Sequence, residues 1–236
     1  MVDGKTIMAY NPYMLSFSGL IFLLDTVILG LFDYKLWKYQ RKDRTNKMVN
    51  AFFVTIFILM LAYFSYAVGI LFFSKDTYWF GRIEVIADVF LYISFAYGIK
   101  IPFLIRFPRV NPNKPFLALL GLSSIALFFE FLQIPNPILN SSGIIHWNMD
   151  ITSSYLLYAT ALLMWIPTSY IFFNEGKKAS GAQKKRYFLM AASYFLICTF
   201  APLMDVTSKD YLIIISQTVM TIGYILLSVG VLYKRK

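Results

Sequence analysis

The chain has 236 residues, 58% of them hydrophobic and only 14% charged, against roughly 25% charged residues in a soluble domain. Seven apolar stretches take up most of the sequence and leave no room for a soluble domain between them. The net charge of +10 would suit a nucleic-acid partner, but the basic residues lie between the apolar stretches, so they read as topology signal and contact with anionic lipid headgroups. Nucleic-acid binding is excluded on that ground.

The stretches are 13–34, 50–73, 83–105, 115–134, 151–173, 187–206 and 210–233. Each has about the 20 residues that cross a hydrocarbon core of about 30 Å. The fold class expected is therefore all-α, a polytopic membrane protein of seven transmembrane helices forming a single domain over 1–236. Residues 1–12 are polar and mixed, with no basic n-region and no small-residue cleavage site, so the first span is expected to be a retained anchor. One cysteine, Cys198, allows no intramolecular disulfide and reads as a small buried hydrophobe of the sixth span.

Orientation follows from the connections. Those at 35–49, 106–114 and 174–186, with the tail Lys234–Lys236, carry 17 basic residues. The N-terminus and the alternate connections carry only Lys5, Lys75, Arg82 and Lys209. The positive-inside rule places the N-terminus outside and the C-terminus in the cytoplasm, in what is expected to be the cell membrane.

In chain order, the first span carries Asp25 in LIFLLDTVILGL. At about 1.5 Å per residue it falls near the bilayer midplane, deeper than any basic residue. Such a carboxyl needs a proton, a hydroxyl partner or a wet cavity. Tyr34 and Trp37 sit where an inner aromatic belt lies. The second span is uncharged, with Thr55, Tyr63, Ser65 and Tyr66 as its polar groups, and the Trp79 region reads as a short outer turn. The third span places Glu84 and Asp88 four apart, on one face with Leu91, Tyr92, Phe95 and Ile99. Glu84 is expected to snorkel outward or to pair with Arg82, and Lys100 to snorkel at the inner end. Pro102 is expected to kink or end the helix.

The fourth span carries Glu130 near its outer end. The longest connection, 135–150, follows and holds the only histidine, His146, with Trp147 and Asp150. Asn140-Ser141-Ser142 matches a glycosylation sequon, a short pattern that also occurs by chance. Pro167 favours a kink in the fifth span. The sixth ends in FAPLMDV with Pro202 and Asp205. The seventh has Ser216, Gln217, Thr218, Thr221 and Tyr224 but no acid or base between Asp210 and Lys234.

Glu84, Asp88, Glu130, Asp150, Asp205 and Asp210 all fall in the outer half, with His146; only Asp25 is deeper. Two readings stand. One is an outward-facing acidic pocket for a cation, a proton or a basic ligand, with Asp25, Asp88, Glu130, Tyr92, Asp205 and His146 as its candidate binding residues. The other has the acids capping outer helix ends in water, which suits Glu84, Asp150, Asp205 and Asp210 best. One histidine without HxxxH or ExxH spacing is a poor metal site, so no metal or other cofactor is expected. No nucleophile motif, phosphate loop or HExxH is present, and enzymatic activity is not expected. Lysine is missing from the middle of the seventh span, which argues against retinal. The two halves lack a paired Pro-Gln motif or matching acids, which weakens a repeat-built transporter.

The basic first inner loop (KLWKYQRKDRTNK) is followed by an aromatic and basic approach to the third span (YWFGRIEV). A long outer loop (NPILNSSGIIHWNMD) and a basic run before the sixth span (KKASGAQKKRYFLM) complete the pattern. Together they resemble the seven-helix sensor region of membrane-bound histidine kinases and related prokaryotic receptors, over nearly the whole chain. In that family an output domain follows the last helix. Here the sequence stops at Lys236, which leaves either a module acting through a cytoplasmic signalling partner or a likeness of architecture alone. The leading expectation is a sensor or receptor-like protein whose ligand binds among the third, fourth and sixth spans and the 135–150 loop. The proline-bearing third, fifth and sixth helices are the candidate moving parts. The alternatives are a small cation or proton transporter or channel with Asp25 and Asp88 on its path, and a scaffold or assembly subunit.

Overall fold

The computed structural model describes residues 16–201 and 203–232, without the side chains of Asp205 and Val206. Residues 13–15 of the first expected span, Pro202, the Asp205 side chain and the basic tail 234–236 lie outside the described residues. The helices are α1 (Phe17–Lys42), α2 (Lys47–Phe73), α3 (Thr77–Gly98), α4 (Lys100–Arg106), α5 (Asn113–Leu132), α6 (Ile151–Lys178), α7 (Gly181–Phe200), α8 (Leu203–Val206) and α9 (Asp210–Leu232). Between α5 and α6 lies a small hairpin of β1 (Ile138–Leu139) and β2 (Ile145–His146), which pairs Ile138 with His146 and Leu139 with Ile145.

Helix starts follow local capping chemistry. Ser16, Asn46, Asp76 and Asp150 each accept backbone N–H groups at the start of α1, α2, α3 and α6, satisfying donors that have no partner inside the helix. Asp150 is thus a cap, bonded to Thr152 N at 2.8 Å.

Three expected boundaries are corrected. The basic stretch 35–49 is not a long loop, because α1 runs to Lys42 and only 43–46 connect it to α2. The Trp79 region is not a turn, because Asp76 starts α3 at Thr77. The sixth stretch is shifted toward the N-terminus, with α7 starting at Gly181 and ending at Phe200. The expected break near Pro102 falls at Ile99, between α3 and α4. A proline disturbs the carbonyl four residues before it, which here is that of Gly98.

Among the described residues, six helical segments are long and apolar enough to cross a membrane, with α3 and α4 counting as one. The chain is by this measure a polytopic all-α membrane protein. The remaining long helix, α7, carries Lys184, Lys185 and Arg186 in its first two turns, and this charge takes it below the same measure.

The long helices form a closed ring. α1 packs on α2, α2 on α3, α3 on α5, α5 on α6, α6 on α7 and α7 on α9, and α9 returns to α1. α1 buries a 4-3-4-3-4 stripe of Ser18, Phe22, Asp25, Leu29, Phe32 and Leu36 while Leu24, Val27 and Leu31 face outward. Apolar residues on the outside suit a bilayer, where hydrocarbon is as good a neighbour as another leucine. α5 buries only Leu119, Ser123, Ala126 and Glu130, one narrow stripe that ends in an acid. At the basic end, Arg186 donates to the carbonyls of Gly230 (3.1 Å) and Val231 (2.9 Å), which satisfies the last turn of α9.

Candidate ligand-binding site

At the hairpin end the ring encloses a cavity with about 60 Å³ open to the centres of water-sized molecules. That is room for a few waters or one compact ligand, since a single water needs roughly 10–15 Å³ on that measure. α3 supplies the acidic wall through Glu84, Asp88, Leu91 and Phe95, spaced 4-3-4 and so on one helical face. Tyr63 and Tyr66 come from α2, Trp165 from α6, Tyr224 from α9, Phe22 from α1 and Trp147 from the segment after β2. Among the described residues, the lining contains no lysine, arginine or histidine.

Glu84 and Asp88 are both buried, at 2% and 1% exposure. The expectation that Glu84 snorkels outward or pairs with Arg82 is overturned. α3 begins about two turns before Glu84, so the residue already lies inside the ring, and Arg82 stacks on the Tyr78 ring at 3.4 Å instead. Asp88 Oδ1 accepts the Tyr66 hydroxyl, while its Oδ2 has no hydrogen-bond partner among the described residues. One turn further along α3, the Tyr92 hydroxyl donates to Glu130 Oε1 at 2.9 Å, and both residues are fully buried. Asp88, Tyr92 and Glu130 are thereby gathered around α3, with Glu130 behind the cavity wall.

The hairpin forms the roof. Gly143, at φ +74°, takes a left-handed turn that glycine adopts at no steric cost. Its carbonyl accepts Ser16 Oγ (2.8 Å) and Ser18 N (3.1 Å). Ser18 Oγ in turn accepts Ile145 N at 3.1 Å and the Gln217 amide at 3.0 Å. On the other side, His146 Nε2 meets Asp210 Oδ1 at 2.9 Å and Asn140 donates to Asp210 Oδ2 at 2.9 Å. His146 thus ties the hairpin to the start of α9 and does not line the cavity. Asn148 adopts a positive φ of 49° between Trp147 and Met149, and both of these line the cavity. The Trp147 ring rests against Tyr66 at 5.0 Å and Phe22 at 5.8 Å.

Asp25 is buried at 1% exposure but stands behind the wall, three residues along α1 from Phe22. Thr221 of α9 is within hydrogen-bond reach of it, and Tyr63 and Tyr224 join hydroxyls at 2.5 Å between α2 and α9. Of the buried acids, Glu84 and Asp88 line the cavity, Glu130 stands behind its wall, and Asp25 and Asp33 lie on α1 away from it.

Trp147, Trp165, Tyr66, Tyr63 and Tyr224 were not among the residues expected to bind ligand. Tyr63 and Tyr66 are marked in the sequence only by i, i+3 spacing in an otherwise apolar helix, which looks the same for any packed core, and the other three carry no local signal. In chemical terms the site sets two carboxyl groups in a wall of aromatic rings, with no basic side chain among the described residues that line it. A buried carboxylate in such surroundings is expensive unless it holds a proton or faces a cation. No family model, no curated protein and no solved structure matches the chain.

Proposed function

We propose that the chain is a sensor or receptor-like protein with seven membrane crossings, α7 included. Its N-terminus would lie outside and its C-terminus in the cytoplasm of the cell membrane. The hairpin end then faces outward, and a small cation, proton or basic ligand enters the cavity beside Glu84 and Asp88. Occupancy shifts the helices, and the basic inner ends pass the shift to a cytoplasmic signalling protein. The observation that carries this reading is the cavity itself. Six of the seven ring helices, all but α5, contribute to one acidic and aromatic space under a docked hairpin, so compensating its charge bears on nearly every helix. The alternation of basic and basic-poor connections supports the orientation, and the resemblance to seven-helix sensor regions supports the role.

The test uses spin labels on cysteines placed at Lys47 and Lys178, in full-length protein reconstituted in nanodiscs. Neutralising the site with Glu84→Gln and Asp88→Asn mimics charge compensation at nearly constant shape. The expected result is a changed distance distribution at the basic end. Identical distributions in the parent and the double variant, from acid to alkaline pH, would end the sensor reading. Labelling of cysteines at Lys75 and Arg44 by an impermeant thiol reagent on whole cells checks orientation, with Lys75 the reactive site.

A second reading as a cation or proton path is favoured by one observation. Asp25 and Asp33 are both buried on α1, eight residues apart, which extends acidic groups from beside the cavity toward the basic end. Proton or sodium flux into liposomes that is lost in Asp25→Asn and in Asp88→Asn would select this reading.

A further inference from the structure

We infer that the ligand of the cavity is a small organic cation, an alkylammonium held between the Glu84 and Asp88 carboxylates and the rings of Tyr66, Trp147 and Trp165. This ligand class rests on reading the cavity as a binding site. Charge is the first part of the argument. Among the described residues that line the space there are two acids and no basic side chain, so a molecule of positive charge suits the site better than an anion, and Asp88 is the acid on which this rests. Asp88 supplies the anchor. It is 1% exposed, with one oxygen taken by Tyr66 and the other, Oδ2, without a hydrogen-bond partner among the described residues. That oxygen accepts an N–H, or faces a quaternary nitrogen.

The rest of the wall decides between organic and inorganic cations. A hard metal cation replaces its water shell with about six to eight oxygen ligands. Here the lining beyond the acids is mostly ring and thioether, with Met149, Met204 and Met220 among its members. Aromatic faces attract a cation whose charge is spread over carbon-bound groups, and tryptophan does so best. Met side chains and ring edges suit its methyl groups. The rings are also held in place before any ligand arrives. Phe22 contacts Tyr63 (5.4 Å), Tyr66 (5.3 Å) and Trp147 (5.8 Å), and Trp165 contacts Phe95 (6.1 Å) and Tyr194 (4.7 Å). Such bracing removes part of the ordering cost of binding. The size of the space sets an upper limit. Ligand pockets for drug-sized molecules run to roughly 300–1,000 Å³, so a head group with a few carbons fits and a large amphiphile does not.

The experiment is equilibrium binding of radiolabelled tetramethylammonium to the full chain in nanodiscs, with competition by methylammonium, sodium and the neutral isostere tert-butanol. Saturable binding is expected, displaced by methylammonium but not by sodium or tert-butanol. Asp88→Asn and Trp147→Leu are each expected to weaken it by roughly tenfold or more, Trp147→Phe by less, and Glu175→Gln at the basic end not at all. Thermal midpoints of the variants establish that they are folded. If Asp88→Asn fails to fold, the contrast between Trp147→Leu and Trp147→Phe decides. No saturable binding, equal displacement by sodium, or equal displacement by tert-butanol would overturn the inference. Binding without any change in the basic-end distances would leave the ligand class standing and refute the receptor reading alone.

Discussion

The Tyr66 hydroxyl is the most informative single group to remove. In Tyr66→Phe the ring stays, so its contacts with Phe22, Tyr63 and Trp147 remain and no cavity opens in the packing. What is lost is the donor to Asp88 Oδ1, on a carboxyl whose Oδ2 has no hydrogen-bond partner among the described residues. Hydrogen bonds between membrane helices contribute about 0.6 kcal/mol on average and up to about 1.7 kcal/mol, because the unfolded chain in the bilayer also finds partners. With Asp88 ionised, the charged acceptor puts this bond at the upper end and the loss at about 1.5 kcal/mol, whereas with Asp88 protonated the loss stays near the average. In an Asp88→Asn background the acceptor is a neutral amide oxygen, and removing the hydroxyl should cost only about 0.6 kcal/mol. Equilibrium unfolding of all four proteins in mixed micelles, by titration with a denaturing detergent, measures both costs. Equal costs in the two backgrounds, or none in either, would refute the assignment of the hydroxyl to an ionised Asp88.

Three further outcomes follow from contacts away from the cavity floor. Gly81→Ala puts a methyl 2.2 Å from the carbonyl oxygen of Pro135. Backbone must move to admit it, so a loss of about 1–3 kcal/mol is expected, read as a lower thermal midpoint. Asp210→Ala releases both His146 and Asn140. Hydrogen exchange at the hairpin amides should then rise roughly tenfold, equivalent to about 1.4 kcal/mol, while exchange at the centre of α2 stays unchanged. Arg186→Ala removes two bonds to the carbonyls of Gly230 and Val231. About 1 kcal/mol of stability and faster exchange over the last turn of α9 are the expected losses.

Length and hydropathy made the helices legible, because a bilayer demands about 20 apolar residues per crossing whatever the partners are. Boundaries were less legible, since basic residues end an apolar stretch without ending a helix. Lys35, Lys38, Arg41 and Lys42 all continue α1, and Lys38 and Arg41 sit over Tyr34 and Trp37. The face shared by Glu84, Asp88, Leu91 and Phe95 could be read directly from spacing. The burial of Glu84 could not, because it depends on Asp76 starting α3 at Thr77, seven residues before Glu84, and on the hairpin covering that end. The Tyr92–Glu130 pair needed the packing of α5 on α3, which no local pattern encodes. His146 was the most conspicuous residue of its loop, yet its partner, Asp210, is 64 positions away and serves the roof rather than the cavity.

In the proposed reading, the roof ties ligand entry to the helices that reach the basic end. Trp147 lies between the hairpin and the cavity, and the hairpin is fastened to α1 through Ser16 and Ser18 and to α9 through Asp210 and, by way of Ser18, Gln217. A ligand under Trp147 that lifts or tightens the roof therefore acts on α1 and α9 together. Those two helices also meet across Asp25 and Thr221, and α9 is held at its far end by Arg186 of α7. Asp25 then has a role without lining the cavity. A polar contact in the α1–α9 seam exchanges partners more easily than packed hydrocarbon does, which makes this seam the proposed place of the shift. Asp25→Leu, which fills the space but removes the polar contact, should keep the cavity and its ligand yet uncouple it from the basic end. Its readout is unchanged tetramethylammonium affinity with no ligand-dependent change in the basic-end distances. A loss of affinity equal to that of Asp88→Asn would instead assign Asp25 to the binding site itself.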